Sequence, residues 1–148
     1  MKTIHIDQTE VFLNVSGSGE PILFLHGVPD TSDIRIKTLE ILSPDYLCLA
    51  PDLPGFGRTK APRDFDYSLG NLADFIDKIV VAQKVDVPIN LVLHDIGGIV
   101  GLALAKRFGT SNIDTIKDCG QWPMQNHPER VAKGIKALIK KSMSKSSL

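Results

Sequence analysis

Apolar positions recur along this chain with two different periods. TIHID (3–7) and VFLNVSG (11–17) alternate apolar and polar residues, the two-residue period of a strand with one covered face. PILFLHG (21–27), YLCLAPD (46–52) and INLVLHD (89–95) are nearly continuous apolar runs that end in Gly or Asp, the pattern of strands buried on both faces. Helical spacing appears between them. Thr31 to Leu42 carries Ile34, Leu39, Ile41 and Leu42, and Ser68 opens a segment whose Leu69, Leu72, Ile76, Ile79 and Val80 form one stripe. Gly97 to Phe108 is short, almost wholly apolar and rich in small residues, which suits a helix lying against the centre of a sheet. IDTIKDC (113–119) predicts a further strand beside INLVLHD. Pro128 begins a last helix with Val131, Ile135, Leu138 and Ile139 on one side.

Strands that alternate with helices predict an α/β fold, a three-layer sandwich around a mostly parallel sheet. The 148 residues, 43% hydrophobic and 23% charged, fit one globular domain over 1–148. Seventeen bases balance seventeen acids, so no global field draws the chain to nucleic acid or to an anionic membrane. Residues 129–148 are locally basic, with six bases and one acid. Their lysines at 133, 136, 140 and 141 alternate with the apolar stripe, as on the solvated face of a docked helix. Cys48 and Cys119 supply neither a disulfide framework nor a four-ligand metal site, and a cytoplasmic setting is the expectation. No apolar run approaches the ~20 residues of a membrane span. Lys84 and the APRDFD loop (61–66) lack a Gly-rich phosphate cradle, so no cofactor is expected. The expected partner is a small-molecule substrate.

Candidate chemistry falls on three loops at the carboxyl ends of the central strands, where open α/β sheets place their sites. In His26–Gly27–Val28–Pro29–Asp30 a Gly before a constrained Pro lets backbone N–H groups turn toward a developing oxyanion. Pro51 to Thr59 (PDLPGFGRT) contains no nucleophile and reads as a fixed turn. Leu93–His94–Asp95–Ile96–Gly97–Gly98 runs from strand into helix through one charged residue backed by glycines, the geometry of a nucleophile elbow. An Asp there also fits a simple helix cap.

Taken in order, HGVPD, APDLPGFGRT and LVLHDIGG resemble the α/β-hydrolase superfamily, in the branch of haloalkane dehalogenases, haloacetate dehalogenases and epoxide hydrolases. The resemblance runs through residues 1 to about 110 and resumes at Asp118–Cys119–Gly120–Gln121–Trp122–Pro123 and PERVAKGIKALIK (128–140). It implies that Asp95 is a nucleophile that attacks carbon to give an ester, and that the Val28 and Ile96 backbone N–H groups form an oxyanion hole. It also implies two more strands, a helical cap and a third triad carboxylate, for which the chain has no counterpart. At about half the usual ~250–300 residues, it resembles a minimal core without a cap domain. Gln121 stands where the family has the histidine that activates water, and an amide has no basic nitrogen. His127, His94 and His5 are expected to be structural. His26, beside the oxyanion loop, is a second choice for a site role. Val28 and Ile96 offer no side-chain donor to a halide, and Tyr46 and Tyr67 fall outside any cap.

The expected activity is weak ester or lactone cleavage in an open site. The alternatives are a catalytically dead remnant serving as a binding module, and an alkyl acceptor of dehalogenase or epoxide-hydrolase type that reacts once. Apolar surface left bare by the missing strands and cap predicts a homodimer.

Overall fold

The strands form where β-branched and leucine residues crowd between turn formers. A computed structural model describes residues 1–85, 88–108 and 123–146. In it, β1 (Lys2–Ile6), β2 (Thr9–Ser16), β3 (Glu20–Leu25), β4 (Tyr46–Pro51) and β5 (Asn90–Leu93) make one sheet in the order β1-β2-β4-β3-β5. The sheet is mixed. β4, β3 and β5 run parallel, whereas β1 with β2 and β2 with β4 are antiparallel. The strand expected at 113–119 lies outside the described residues.

Alternation along β3 divides the core in two. Leu23 and Leu25 point to one face, where α2 (Leu69–Ala82) and α3 (Ile96–Phe108) supply Phe75, Ile76, Ile79, Val100 and Leu104. Ile22 and Phe24 point to the other, against Leu39 and Leu42 of α1 (Ile36–Leu42) and Val131, Ile135 and Ile139 of α5 (Pro128–Ser146). These side chains are almost wholly buried, and each contributes about 2 kcal/mol of transfer free energy. The result is the helix–sheet–helix sandwich that the sequence predicts. The lysines of α5 at 133, 140 and 141 are exposed, and Lys136 is half-buried beside Asp45, with its Nζ 2.7 Å from Oδ2.

Several faces are turned relative to expectation. Residues 31–42 begin as one 3-10 turn, Ser32–Arg35, before α1 proper, and the covered face runs Ser32, Arg35, Thr38, Leu39 and Leu42 while Ile34 and Ile41 are half-exposed. Tertiary packing has placed an arginine where the apolar pattern predicts an isoleucine. On α2 the buried stripe passes through Ala73 and Phe75, and Leu69, the first residue of the helix, is 44% exposed. Leu138 is half-exposed and Ala132 buried in its stead. A short helix α4 (Pro123–Asn126), not expected from the pattern, precedes α5. Among the described residues, no helix is long and apolar enough to cross a membrane.

Candidate active site

The site is built where β3 and β5 end side by side. His94 N–H donates to the Leu25 carbonyl at 3.2 Å, which holds the two strand ends in register one residue before Asp95. Asp95 then turns with φ +53°, a left-handed conformation that an Asp tolerates better than most residues. Its own carbonyl accepts from Gly98 N–H at 2.8 Å to start α3. Gly97 permits this sharp entry. A Cβ on it would lie 2.5 Å from the carbonyl oxygens of both Leu25 and His26, so any other residue would push the helix off the strand.

The exposed Asp95 carboxylate is held asymmetrically. Oδ1 accepts from Val28 N–H at 3.1 Å and from Ile96 N–H at 2.7 Å, while no donor among the described residues holds Oδ2. These bonds, first from Val28 and then from Ile96, keep the carboxyl below the usual Asp range. A helix-capping Asp would adopt an extended backbone and accept from the second or third helical N–H. Asp95 does neither. Its two donors are the first helical N–H and a loop amide 67 residues away.

The Val28 amide is aimed by its own turn. The Val28–Pro29 peptide is cis, and Asp30 N–H closes on the Gly27 carbonyl at 3.1 Å. Gly27 is the contact point of the site: a Cβ there would be 2.5 Å from Asp95 Cβ and 3.0 Å from both Asp95 Oδ1 and His94 Nδ1. Strand alternation alone would turn His94 away from Asp95. The turn ends the alternation, and the imidazole lies on the Gly27 side with a buried Nδ1 that has no hydrogen-bond partner among the described residues.

His26 is fully buried and committed on both nitrogens. Nε2 lies 2.8 Å from Leu53 N, an obligate donor, so Nε2 is the acceptor and Nδ1 carries the proton donated to the Gly27 carbonyl at 2.8 Å. Burial lowers its pKa. With no free lone pair, it does not serve as a base. It ties the oxyanion loop to the loop after β4. His127 is exposed at the start of α5, and His5 is exposed beside Glu10. Gln121 and Cys119 lie outside the described residues. Cys48 is buried in β4, and burial pushes its thiol up to about 12.

Two groups beneath the site escaped the sequence reading. Asp52, fully buried, accepts from Ser32 N–H at 2.8 Å and from Arg58 through both its backbone N–H (2.9 Å) and its Nε (2.8 Å). Arg58 also reaches Asp33 at 2.9 Å and lies 3.5 Å over the Phe12 ring. Burial works to raise the Asp52 pKa, and the bonds from Arg58 and Ser32 outweigh it, so the carboxyl titrates below its ordinary range. An acid and a base six apart across a Pro-Gly turn was the available signal. Arg35 is wholly buried, donates to the Leu25 carbonyl, and is lowered to about 10 by burial. Its Nε and Nη1 find no partner among the described residues. A helical periodicity gives no warning of an arginine on the covered face.

No group of three potential metal ligands converges among the described residues. A groove of about 430 Å³ lined by Ile41, Ala132, Lys133, Lys136 and Lys140 lies between α1 and α5, across the sheet from α3.

A strand-to-helix elbow carrying Asp95, faced by a loop amide, on a sheet with helices on both sides defines the α/β-hydrolase class. Residues 20–133 match the family model described as alpha/beta hydrolase fold, and the chain belongs to that family. It is similar to a cis-3-alkyl-4-alkyloxetan-2-one decarboxylase of Shewanella oneidensis, 34% identical over 94 residues that make up 62% of this chain and 30% of that protein. A haloalkane dehalogenase of Mesorhizobium japonicum is 28% identical over 138 residues, 90% of this chain and 44% of its own. Among solved structures, a variant of an epoxide hydrolase from Bacillus megaterium superposes with a TM-score of 0.68 at 29% identity, covering 72% of this chain and 38% of that one. The chain thus spans less than half the length of these relatives.

Proposed function

We propose that Asp95 is a nucleophile and that its substrate is a small strained oxygen heterocycle, an epoxide or a β-lactone. The observation that carries this reading is the asymmetric carboxylate: Oδ1 is fixed by two amides, and Oδ2, which meets no donor among the described residues, is the oxygen that attacks. Oδ2 forms a bond to a ring carbon and the C–O bond breaks with its electron pair on the ring oxygen. That oxygen is an alkoxide in the epoxide case, which takes a proton from solvent, and a carboxylate in the lactone case. The two amides hold the Asp95 carbonyl oxygen throughout. Val28 and Ile96 bring no side-chain donor to a departing halide, so a leaving group released by ring strain suits this site better than an alkyl halide. The similarity to an oxetanone decarboxylase and to an epoxide hydrolase supports the same substrate class. With Gln121 in the family histidine's place, the alkyl ester on Asp95 is expected to persist.

The test is intact mass after incubation with styrene oxide. One adduct per chain, mapped to Asp95 and absent in Asp95→Asn, supports the proposal. No adduct in either protein overturns it and leaves the binding-module reading. Gln121→His should then release the adduct, roughly tenfold faster than the unaltered chain, as a poorly oriented general base would. Ester cleavage is the second reading, favoured by the amide pair, which could polarise a substrate carbonyl. Oδ1 already fills that pair, so Asp95→Ala should leave the slow cleavage of nitrophenyl acetate undiminished. A loss of that cleavage on Asp95→Ala would place Asp95 in an esterase mechanism instead.

A further inference from the structure

The sequence predicts α3 as a helix covered nearly all round, yet Ile99 is 59% and Leu102 53% exposed. They are not scattered. Asp95, Ile99, Leu102 and Lys106 are all exposed and stand at spacings of four, three and four residues, which puts them on one stripe along α3. The stripe is acidic at its amino end, apolar in the middle and basic at its carboxyl end. Ile99 and Leu102 lie equally far on either side of the Val100–Gly101 bond, and so do Asp95 and Lys106. A two-fold axis through that bond lays α3 antiparallel on its own copy. Ile99 of each copy then meets Leu102 of the other, and each Asp95 faces a Lys106. Beside the stripe, Gly98 opens the surface further, since a Cβ there would meet nothing within 4 Å.

We propose that this stripe is a self-complementary docking surface whose occupant is a second copy of the chain, and that the partner's Lys106 completes the surroundings of Asp95. The charge order along the stripe selects the antiparallel arrangement: a parallel one would set Asp95 on Asp95 and Lys106 on Lys106. In the pair, an ammonium stands over the exposed side of the Asp95 carboxylate, where no donor among the described residues of its own chain reaches Oδ2. It would attract an anionic or oxyanion-forming ligand to the rim. The contact is one helix wide, so association in the micromolar range is expected. The pairing does not depend on whether Asp95 reacts, and the two proposals are read separately.

The test combines sedimentation with a zero-length carbodiimide cross-link. Within one chain about 16 Å of helix rise separate Asp95 from Lys106, too far for direct linkage. A mixture of isotope-labelled and unlabelled chains should therefore give an Asp95–Lys106 linked peptide pair of hybrid mass. Leu102→Lys should weaken association at least tenfold. Lys106→Glu, a second surface change that leaves the apolar contact, should weaken it several-fold and reverse its response to salt, since screening then relieves a repulsion. A compact monomer across micromolar concentrations would overturn the proposal, as would a dimer that neither substitution weakens. Association without a styrene oxide adduct would leave the docking surface standing while the nucleophile reading fails.

Discussion

Asp95 has two readings in the sequence, cap or nucleophile, and its backbone and its donors depart from the geometry of a cap. The sequence carried the position because a lone charge between an apolar strand and paired glycines is conspicuous. It did not carry the choice, which turns on a φ angle and on an amide 67 residues away. The lowered Asp95 pKa has a direct kinetic consequence. In the proposed reaction the attacking form is the carboxylate, so acid inhibits only below its shifted pKa: alkylation rates should stay level from neutral pH down to about pH 4. A decline beginning near pH 6 would assign the reaction to a histidine. Asp52 makes a stability prediction. Its folded pKa is depressed below 3.8, so its contribution is fully present above 3.8 and is lost as pH falls from there through the lower folded value. Asp52→Asn should cost about 2 kcal/mol near neutrality, less than a fully buried pair would because Arg58 is partly exposed. Denaturant titrations of the two proteins should begin to converge only as the pH falls below about 4.

At the scale of elements, periodicity located the described helices apart from the short α4 and much of the buried stripes of α2 and α5, but it misplaced several residues on those faces. The reason is visible in α2 and in the 3-10 turn. A sheet covers the residues that face it whether or not they are apolar, so Arg35 and Ser32 are inside while Leu69 is out. End signals were more dependable, being local. Ser68 caps α2 as predicted, its Oγ accepting from Asn71 N–H at 3.3 Å while its hydroxyl donates to Asp66 at 2.7 Å. Ser68→Ala should cost about 1 kcal/mol, a fall of about 3 °C in Tm. Ser144→Ala on α5, whose hydroxyl only returns to the Lys141 carbonyl, should leave Tm unchanged. Equal effects of the two would mean that Ser68 does not anchor the helix.

For the whole molecule, the order of strands and helices was enough to predict the sandwich, because buried strands, crossover helices and loops at strand ends admit few arrangements. The antiparallel β1–β2–β4 side was less legible, since alternation marks a half-covered strand without its direction. What joins distant parts of the molecule was invisible in the residues. His26 is the example. It presents an unprotonated nitrogen to the Leu53 amide and a proton to the Gly27 carbonyl, and charging it would set two hydrogens against each other at Leu53. Its folded pKa lies below 6.5, so its contribution is whole above that pH and ebbs on acidification. The Leu53 amide is therefore a built-in gauge of the site. Its protection against deuterium exchange, taken relative to the intrinsic rate at each pH, should be high at neutral pH and should fall in mild acid before that of the β3 and β4 amides, as the imidazole lets go and two loops that had moved as one body begin to breathe apart.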